Sequence, residues 1–465
     1  MIATSAMASP IATGDLKYSG ANAFEKWRLV ASASGRPWDP TDPLPVSRFD
    51  SRDVVGGEST RASLAFDWQR NLDASRLEAA AFARRSTVDL HSDLARLDGS
   101  SVGERFEQRD RRSAIGAALR WSGAGSLGAL PASHSIGARF TTETLDGDGA
   151  FRLPGGEATR TLREDRLRQS GASFDFVSEL QVASRLRSVA SVRYDSYRFA
   201  VGSDLRGHQG SLAGTLASPR ISLIADLTAA SELFVSAGRG YPAGDARGPG
   251  AAMDARTGTP IGRLDPLSTA ATAQAGWRAR LVPQLETTVS LFHARSASEI
   301  AFTGETGIGE IARPASRQGV QLSARYQPAA WVAFDLQASA LRARFADAAH
   351  ELVAGAPERT VSAATTLHTP SGWTASLLVS SLGKRESIDD GTGVKPSTFV
   401  NARLARSLSK STRLTLDVFN VFDRRAADFD YFSAARLWNA PGAADSFLFN
   451  PAAPRGFRLK LRTTF

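Results

Sequence analysis

The sequence predicts an all-β chain folded as one large antiparallel transmembrane β-barrel, with short turns at one rim and long loops at the other. Three observations predict it. Residues 456–465 place Phe457, Leu459, Leu461 and Phe465 on one side of an extended strand and Arg458, Lys460 and Arg462 on the other, because side chains alternate with a period of two. An apolar face for lipid, a charged face for a watery lumen and a terminal aromatic at the interface describe one barrel strand. Segments of about ten residues with the same alternation recur along the chain. The connections between them alternate between short and long.

Composition bounds the reading. A chain of 465 residues would ordinarily divide into two or three soluble domains, whereas a barrel grows by adding hairpins to one ring. Cysteine is absent, which removes disulfides, thiolate metal sites and cysteine nucleophiles. No apolar run approaches the ~18–20 residues of a membrane-spanning helix. The formal charge is +9, yet the arginines are spread at alternate positions along the whole chain, which argues against nucleic acid as a partner. Before Lys17 there is no basic residue and no continuous apolar stretch, so residues 1–14 do not form a secretory signal. They are read as a disordered N-terminus, with the barrel running from 15 to 465.

Taken in order, Ala62, Leu64, Phe66 and Trp68 alternate with Arg61, Ser63 and Asp67. Ile115, Ala117, Leu119 and Trp121 alternate with Ala114, Gly116 and Arg120. Leu186, Val192 and Tyr194 oppose Arg187 and Arg193, and Val320, Leu322, Ala324 and Tyr326 oppose Gln321, Ser323 and Arg325. Val332, Phe334, Leu336 and Ala338 oppose Asp335, Gln337 and Ser339. Leu414, Leu416 and Val418 oppose Arg413, Thr415 and Asp417. Short turns are expected at 71–75, 181–184, 228–231, 282–284, 327–330, 369–372 and 407–411; long polar connections at 35–57, 145–164, 241–266, 345–357, 384–396 and 423–454. A downward final strand puts every long connection on the extracellular side, and the count comes to about nineteen strands.

With those residues in place, the chain resembles the barrel of a TonB-dependent receptor, a gated outer-membrane importer of Gram-negative bacteria. Residues 414–425 (LTLDVFNVFDRR) resemble the family's penultimate strand, and 454–459 (PRGFRL) with Phe465 its last. Residues 218–220 and 232–240 resemble a mid-barrel hairpin, and 38–42, 106–112, 244–248 and 428–432 are similar to stretches in one proteobacterial branch. The resemblance implies outer-membrane location, lipid and lipopolysaccharide as surroundings, and the TonB complex as partner of full-length relatives. It implies an importer of a scarce ligand such as an anionic metal chelate. A passive porin or structural barrel would fit the strand pattern but not the ending.

The family carries a signal peptide, a TonB box and a plug ahead of a 22-stranded barrel, and none of the first three is evident here. The resemblance therefore implies an N-terminally truncated frame, doubtful export, an empty lumen and no coupling to TonB by this chain alone. With both terminal strands running downward, residues 15–19 and 456–465 are expected at free or loosely paired edges.

Enzyme chemistry finds no support. The six histidines, His91, His134, His208, His293, His350 and His368, are scattered without metal-ligand spacing, and no cofactor is expected. Ligand-contact candidates are Tyr241, Asp245 and Arg247 on one outer loop and Asp428, Asp430 and Tyr431 on another. Arginine suits bidentate contact with carboxylate or phosphate. Asp245–Arg247, like the arginine-rich 109–112, can equally be salt-bridged loop structure or meet lipopolysaccharide phosphates.

Overall fold

A computed structural model describes residues 12–21, 25–38, 55–92, 105–152, 158–204, 209–241, 268–302, 309–347, 351–386, 393–435 and 444–463. Nineteen strands form one sheet, each hydrogen-bonded antiparallel to the next. It begins with β1 (Ala12–Ala21), β2 (Glu25–Trp38), β3 (Val55–Leu72) and β4 (Ser75–Ser92). Three long strands follow, β5 (Arg105–Leu127), β6 (Leu130–Arg152) and β7 (Ala158–Ala183). Next come β8 (Leu186–Ser203), β9 (Gly210–Thr228), β10 (Ser231–Gly240) and β11 (Ala270–Val282). They continue as β12 (Leu285–Phe302), β13 (Gly309–Ala329), β14 (Val332–Phe345), β15 (Arg359–His368) and β16 (Trp373–Leu382). A two-residue clip, β17 (Arg385–Glu386) on β18 (Gly393–Val394), precedes β19 (Ser397–Ser407) and β20 (Thr412–Phe419). A separate hairpin, β21 (Ala427–Ala435) with β22 (Ala444–Pro451), leads into the last strand, β23 (Gly456–Thr463). Among the described residues there is no helix.

The expected alternation of connections holds. Tight turns at 73–74, 184–185, 229–230, 283–284, 330–331, 369–372 and 408–411 share one rim. One further turn, 128–129, was not legible, since only Gly128 marks it; that glycine has φ 61°, a left-handed geometry that side chains resist.

Two expectations are corrected. Residues 145–164 are mostly ladder and not loop: β6 runs to Arg152, β7 starts at Ala158, and Leu145 pairs with Leu167 and Asp146 with Arg166. The Asp/Gly content suggests a turn, but cross-strand charge pairing carries the ladder onward, with Arg166 donating to Asp146 at 2.7 Å. Residues 109–112 likewise lie inside β5. A membrane-crossing strand needs about 9–11 residues, so β5 to β7, at 23, 23 and 26 residues, project well beyond the bilayer.

The two faces differ as the alternation requires. Ile115, Leu119, Phe140, Phe174, Leu233 and Leu291 point outward, and Phe174 and Leu291 keep 60% and 63% of their surface. Exposure of that extent on so many large apolar side chains fits a lipid-facing wall. Inward, one recess of about 900 Å³ is lined mainly by alternate residues of β9 to β16, among them Ser222, Gln274, Thr288, Gln321 and Ser362, and by Phe399 of β19. Because these strands all face one recess, the sheet is curled.

The last strands show the inside of the wall most clearly. Asp417 on β20 is 3% exposed and pairs across the ladder with Arg403 on β19 and Arg458 on β23. Arg403 donates to Oδ1 at 2.5 Å and Arg458 to Oδ2 at 2.8 and 3.0 Å, so one carboxylate ties three strands. Leu416, Leu459 and Leu461 face the other way, exposed. Among the described residues β1 pairs with β2 alone and β23 with β20 alone, as expected for two sheet edges. Phe465 lies outside the described residues.

The family-like run after β20 has a physical reason. Asn420 and Asp423 hold φ of 47° and 49°, the left-handed region that Asn and Asp tolerate best. Asn420 Nδ2 donates to the carbonyls of Arg424 and Ala453, both at 3.0 Å, while its Oδ1 accepts from Arg424 N at 2.9 Å. Asp423 Oδ1 accepts from Arg455 N at 2.9 Å. This knot joins the two ends of the 420–455 connection to the rim. Asn420→Ala is expected to cost roughly 2–4 kcal/mol, three buried hydrogen bonds with partners left unpaired, read as a lower urea midpoint and as faster proteolysis within 420–455.

Candidate ligand site at the mouth of the barrel

β8 rises from the short turn 184–185, and its inward residues Arg193, Asp195, Tyr197 and Phe199 climb toward the long-connection rim, opposite outward Val192 and Tyr194. Asp195 is fully buried. Arg193 Nε donates to its two oxygens at 2.9 and 3.0 Å and Nη2 to Oδ1 at 2.8 Å, a charge-assisted fork that neutralises both groups. Tyr197 lies across Gly171 of β7: a Cβ on that glycine would come within 2.5 Å of the ring. Phe199 stacks beside it, 6.0 Å between centroids, and packs with Leu145 and Leu167 in a buried apolar patch.

Tyr241, the residue after β10, completes the group. Its hydroxyl donates to that of Tyr197 at 2.6 Å, with the rings edge to face at 5.8 Å. Burial, then the hydrogen bond with Tyr197, push the Tyr241 hydroxyl up, so it stays a neutral donor at any physiological pH. The result is an aromatic shelf with two hydroxyls above an apolar patch, suited to a ligand with flat rings and polar oxygens.

The lumen face also carries a grid of paired charges. Arg120 bonds Asp175 at 2.7 Å, Arg112 and Arg84 share Glu143 at 3.0 and 3.3 Å, and Arg187 bonds Glu232 at 2.9 Å. Arg220, in the larger recess, and Arg139, in a neighbouring one of about 360 Å³, have no ion-pair partner among the described residues. Their surplus charge favours anions within the lumen. Among the described residues no group of His, Asp and Glu is arranged to hold a metal.

Of the residues singled out from sequence, the structure brings Tyr241 into this group. Asp245 and Arg247 lie outside the described residues. Asp428, Asp430 and Tyr431 fall on β21 in a ladder with β22, Asp430 opposite Phe449 and Tyr431 opposite Leu448; this is a strand where a loop was expected. Arg193, Asp195, Tyr197 and Phe199 were missed as a site. Their signal was available: R-x-D-x-Y-x-F on the face opposite a lipid-facing V-x-Y.

A second ordered feature flanks the mouth. Arg313 on β13 donates to Asp347 at 2.8 and 3.0 Å and to Glu351, and its guanidinium stacks 4.0 Å above Phe345. The hydrogen bond with Arg313 holds the Glu351 carboxyl below its ordinary value of 4.5. A lowered folded pKa contributes stability at neutral pH that is lost as pH falls below that ordinary value. Hydrogen exchange in 351–358 is therefore expected to speed up between pH 5 and pH 3 in the native chain and to be pH-insensitive there, beyond its intrinsic rate, in Arg313→Gln.

The sequence profile of the family described as TonB dependent receptor-like, beta-barrel matches residues 8–421. The ferric-catecholate import receptor Fiu of E. coli K12 superposes with TM-score 0.74 at 13% identity, over 98% of this chain and 75% of that one. The ferric yersiniabactin uptake receptor FyuA of Yersinia pestis gives 0.71 at 15% identity, over 98% and 71%. The siderophore receptor PiuA of Acinetobacter baumannii gives 0.73 at 11% identity, over 97% and 73%. No curated protein matches the sequence.

Proposed function

The chain belongs to the TonB-dependent receptor family of outer-membrane β-barrels, and from that premise we propose that it forms the barrel of an importer that captures an anionic metal chelate at its outer mouth. Members of the family bind their ligands outside the cell and couple to TonB. The observation that carries the proposal is the shelf of Tyr197 and Tyr241 over the Leu145, Leu167 and Phe199 patch, with Arg139 and Arg220 deeper in the lumen. Aromatic rings give a flat ligand area and shape, hydroxyls give it direction, and the surplus arginines draw negative charge inward. In this reading the outward apolar wall meets outer-membrane lipid.

The test is equilibrium binding to the purified full chain in detergent, followed by tryptophan fluorescence, with a ferric catecholate chelate and ferric citrate as probes. Saturable binding of at least one is expected, weakened roughly tenfold when Tyr197→Phe and Tyr241→Phe remove both hydroxyls. Equal binding of an uncharged chelate, or a linear non-saturable response to every probe, would point to the passive pore instead.

A further inference from the structure

Tyr197 and Tyr241 present two hydroxyl oxygens 2.6 Å apart, and packing fixes both rings. Tyr197 lies across Gly171, where an added Cβ would come within 2.5 Å of it, and stacks beside Phe199 with centroids 6.0 Å apart. Tyr241 is held edge to face on Tyr197 at 5.8 Å. Two phenol oxygens so placed make a bite. A hard octahedral cation, about 2.0–2.1 Å from each oxygen, keeps adjacent oxygens about 2.8–3.0 Å apart. The pair has to spread by only roughly 0.2–0.4 Å to meet that geometry, and tyrosine is among the protein ligands of iron. Beneath them Asp195 is fully buried and its charge is taken by Arg193 at 2.8 to 3.0 Å, so the floor of the bite adds no net charge.

Among the described residues no group of His, Asp and Glu stands ready to complete a metal site. Two oxygens alone do not hold a bare ion against water; they suit a metal that arrives with most of its coordination sphere already filled. We propose that Tyr197 and Tyr241 bind the metal of the chelate directly, filling two adjacent positions that the chelator leaves to water. The substrate class is then a tetradentate ferric chelate, and a hexadentate one, with no position open, is disfavoured. The exchange balances. Two waters leave the iron, two phenol O–H bonds break as two Fe–O bonds form, both protons pass to bulk water, and the iron stays ferric. Burial keeps the Tyr241 hydroxyl protonated in the empty site, so the phenolates form only on a strongly polarising ion. This coordination deepens the importer reading above and rests on it.

The experiment uses the purified full chain in detergent with ferric nitrilotriacetate, a tetradentate chelate whose remaining positions hold water. Tryptophan fluorescence reads binding. Visible absorption reads coordination, because phenolate-to-iron charge transfer absorbs there and the gallium chelate has no such band. Ferric nitrilotriacetate is expected to bind about tenfold or more tightly than a hexadentate ferric tris-catecholate and to bring up the band. Gallium nitrilotriacetate should bind alike without it. Tyr197→Phe and Tyr241→Phe should each leave roughly half of the absorbance, one phenolate in place of two, and the double variant none. Phenylalanine keeps the ring packing; should a variant not fold, the ferric and gallium chelates on the native chain decide alone. Saturable binding of the ferric chelate without the band, a band that survives in the double variant, or tighter binding of the hexadentate chelate would overturn direct coordination and leave the importer reading standing. Failure of every chelate to bind saturably would overturn both.

Discussion

Leu119→Arg is expected to cost about 2–4 kcal/mol of barrel stability, the penalty for a guanidinium at the middle of the lipid-facing wall. Leu119 is 52% exposed, and its ladder neighbours are Ala79 on β4 and Ala138 on β6, too short to supply a counter-charge. Its outward companions on β5, Ile115 and Trp121, lie above and below it, so the arginine must bend far along the wall to reach water. An inward substitution separates membrane placement from ordinary crowding. Ser323→Arg introduces the same side chain into the polar recess and should change stability by less than about 1 kcal/mol. Urea unfolding of both variants in phospholipid vesicles reads the difference. Equal costs at the two positions would mean that the outward face does not meet hydrocarbon.

The second large effect is expected from Gly319→Val. A Cβ on Gly319 would stand 2.2 Å from the carbonyl oxygen of Ala340 on β14 and 3.0 Å from the Phe292 ring. Real contacts of that kind exceed 3 Å, so the backbone of β14 must retreat by about an ångström or the ladder must open. Overpacking against backbone costs roughly 1–3 kcal/mol and more when the neighbour cannot yield. At Gly202 the nearest atom to an added Cβ is a carbonyl 3.9 Å away, and Gly202→Ala should be neutral within about 0.5 kcal/mol. A Gly319→Val chain that unfolds at the native urea concentration would show that β13 and β14 are not packed as described.

How much of this was legible follows from what is local. In-or-out alternation is set by the residue and its two neighbours, so Leu64, Phe66, Leu459 and Leu461 could be assigned to the lipid face, and Asp417 and Arg458 to the lumen, from sequence. Turns carrying Asp, Gly, Pro or Ser, such as 73–74 and 369–372, announce themselves. Height along the barrel is not local. It depends on how far a ladder persists above the membrane, which is why 145–152 and 109–112 were taken for loops. Cross-strand partners are not local either. Nothing in the order of residues says that Tyr197 meets Gly171 on one side and Tyr241, forty-four positions away, at its hydroxyl. The Asn420 knot was recognised as a pattern, but its cause, two left-handed residues tying a long connection to the rim, appears only with coordinates.

Among the described residues, the glycine beneath Tyr197 is one of four covered by a ring from the neighbouring strand. Phe82 covers Gly116, Phe234 covers Gly276 and Phe292 covers Gly319, each directly opposite in register and each facing the lumen. Their consequence concerns errors during folding. A one-residue slip between strands turns apolar side chains toward water and is rejected by solvent; a two-residue slip preserves every inward and outward assignment, and burial cannot detect it. The rings can. Slipped by two, Tyr197 would meet Ser173 or Gln169 where Gly171 leaves a hole, Phe234 would meet Gln274 or Arg278, and Phe292 would meet Arg317 or Gln321. Each wrong alignment loses the vacancy that lets the ring lie flat, so these four pairs are checkpoints for the one kind of mistake that the alternating pattern leaves unguarded.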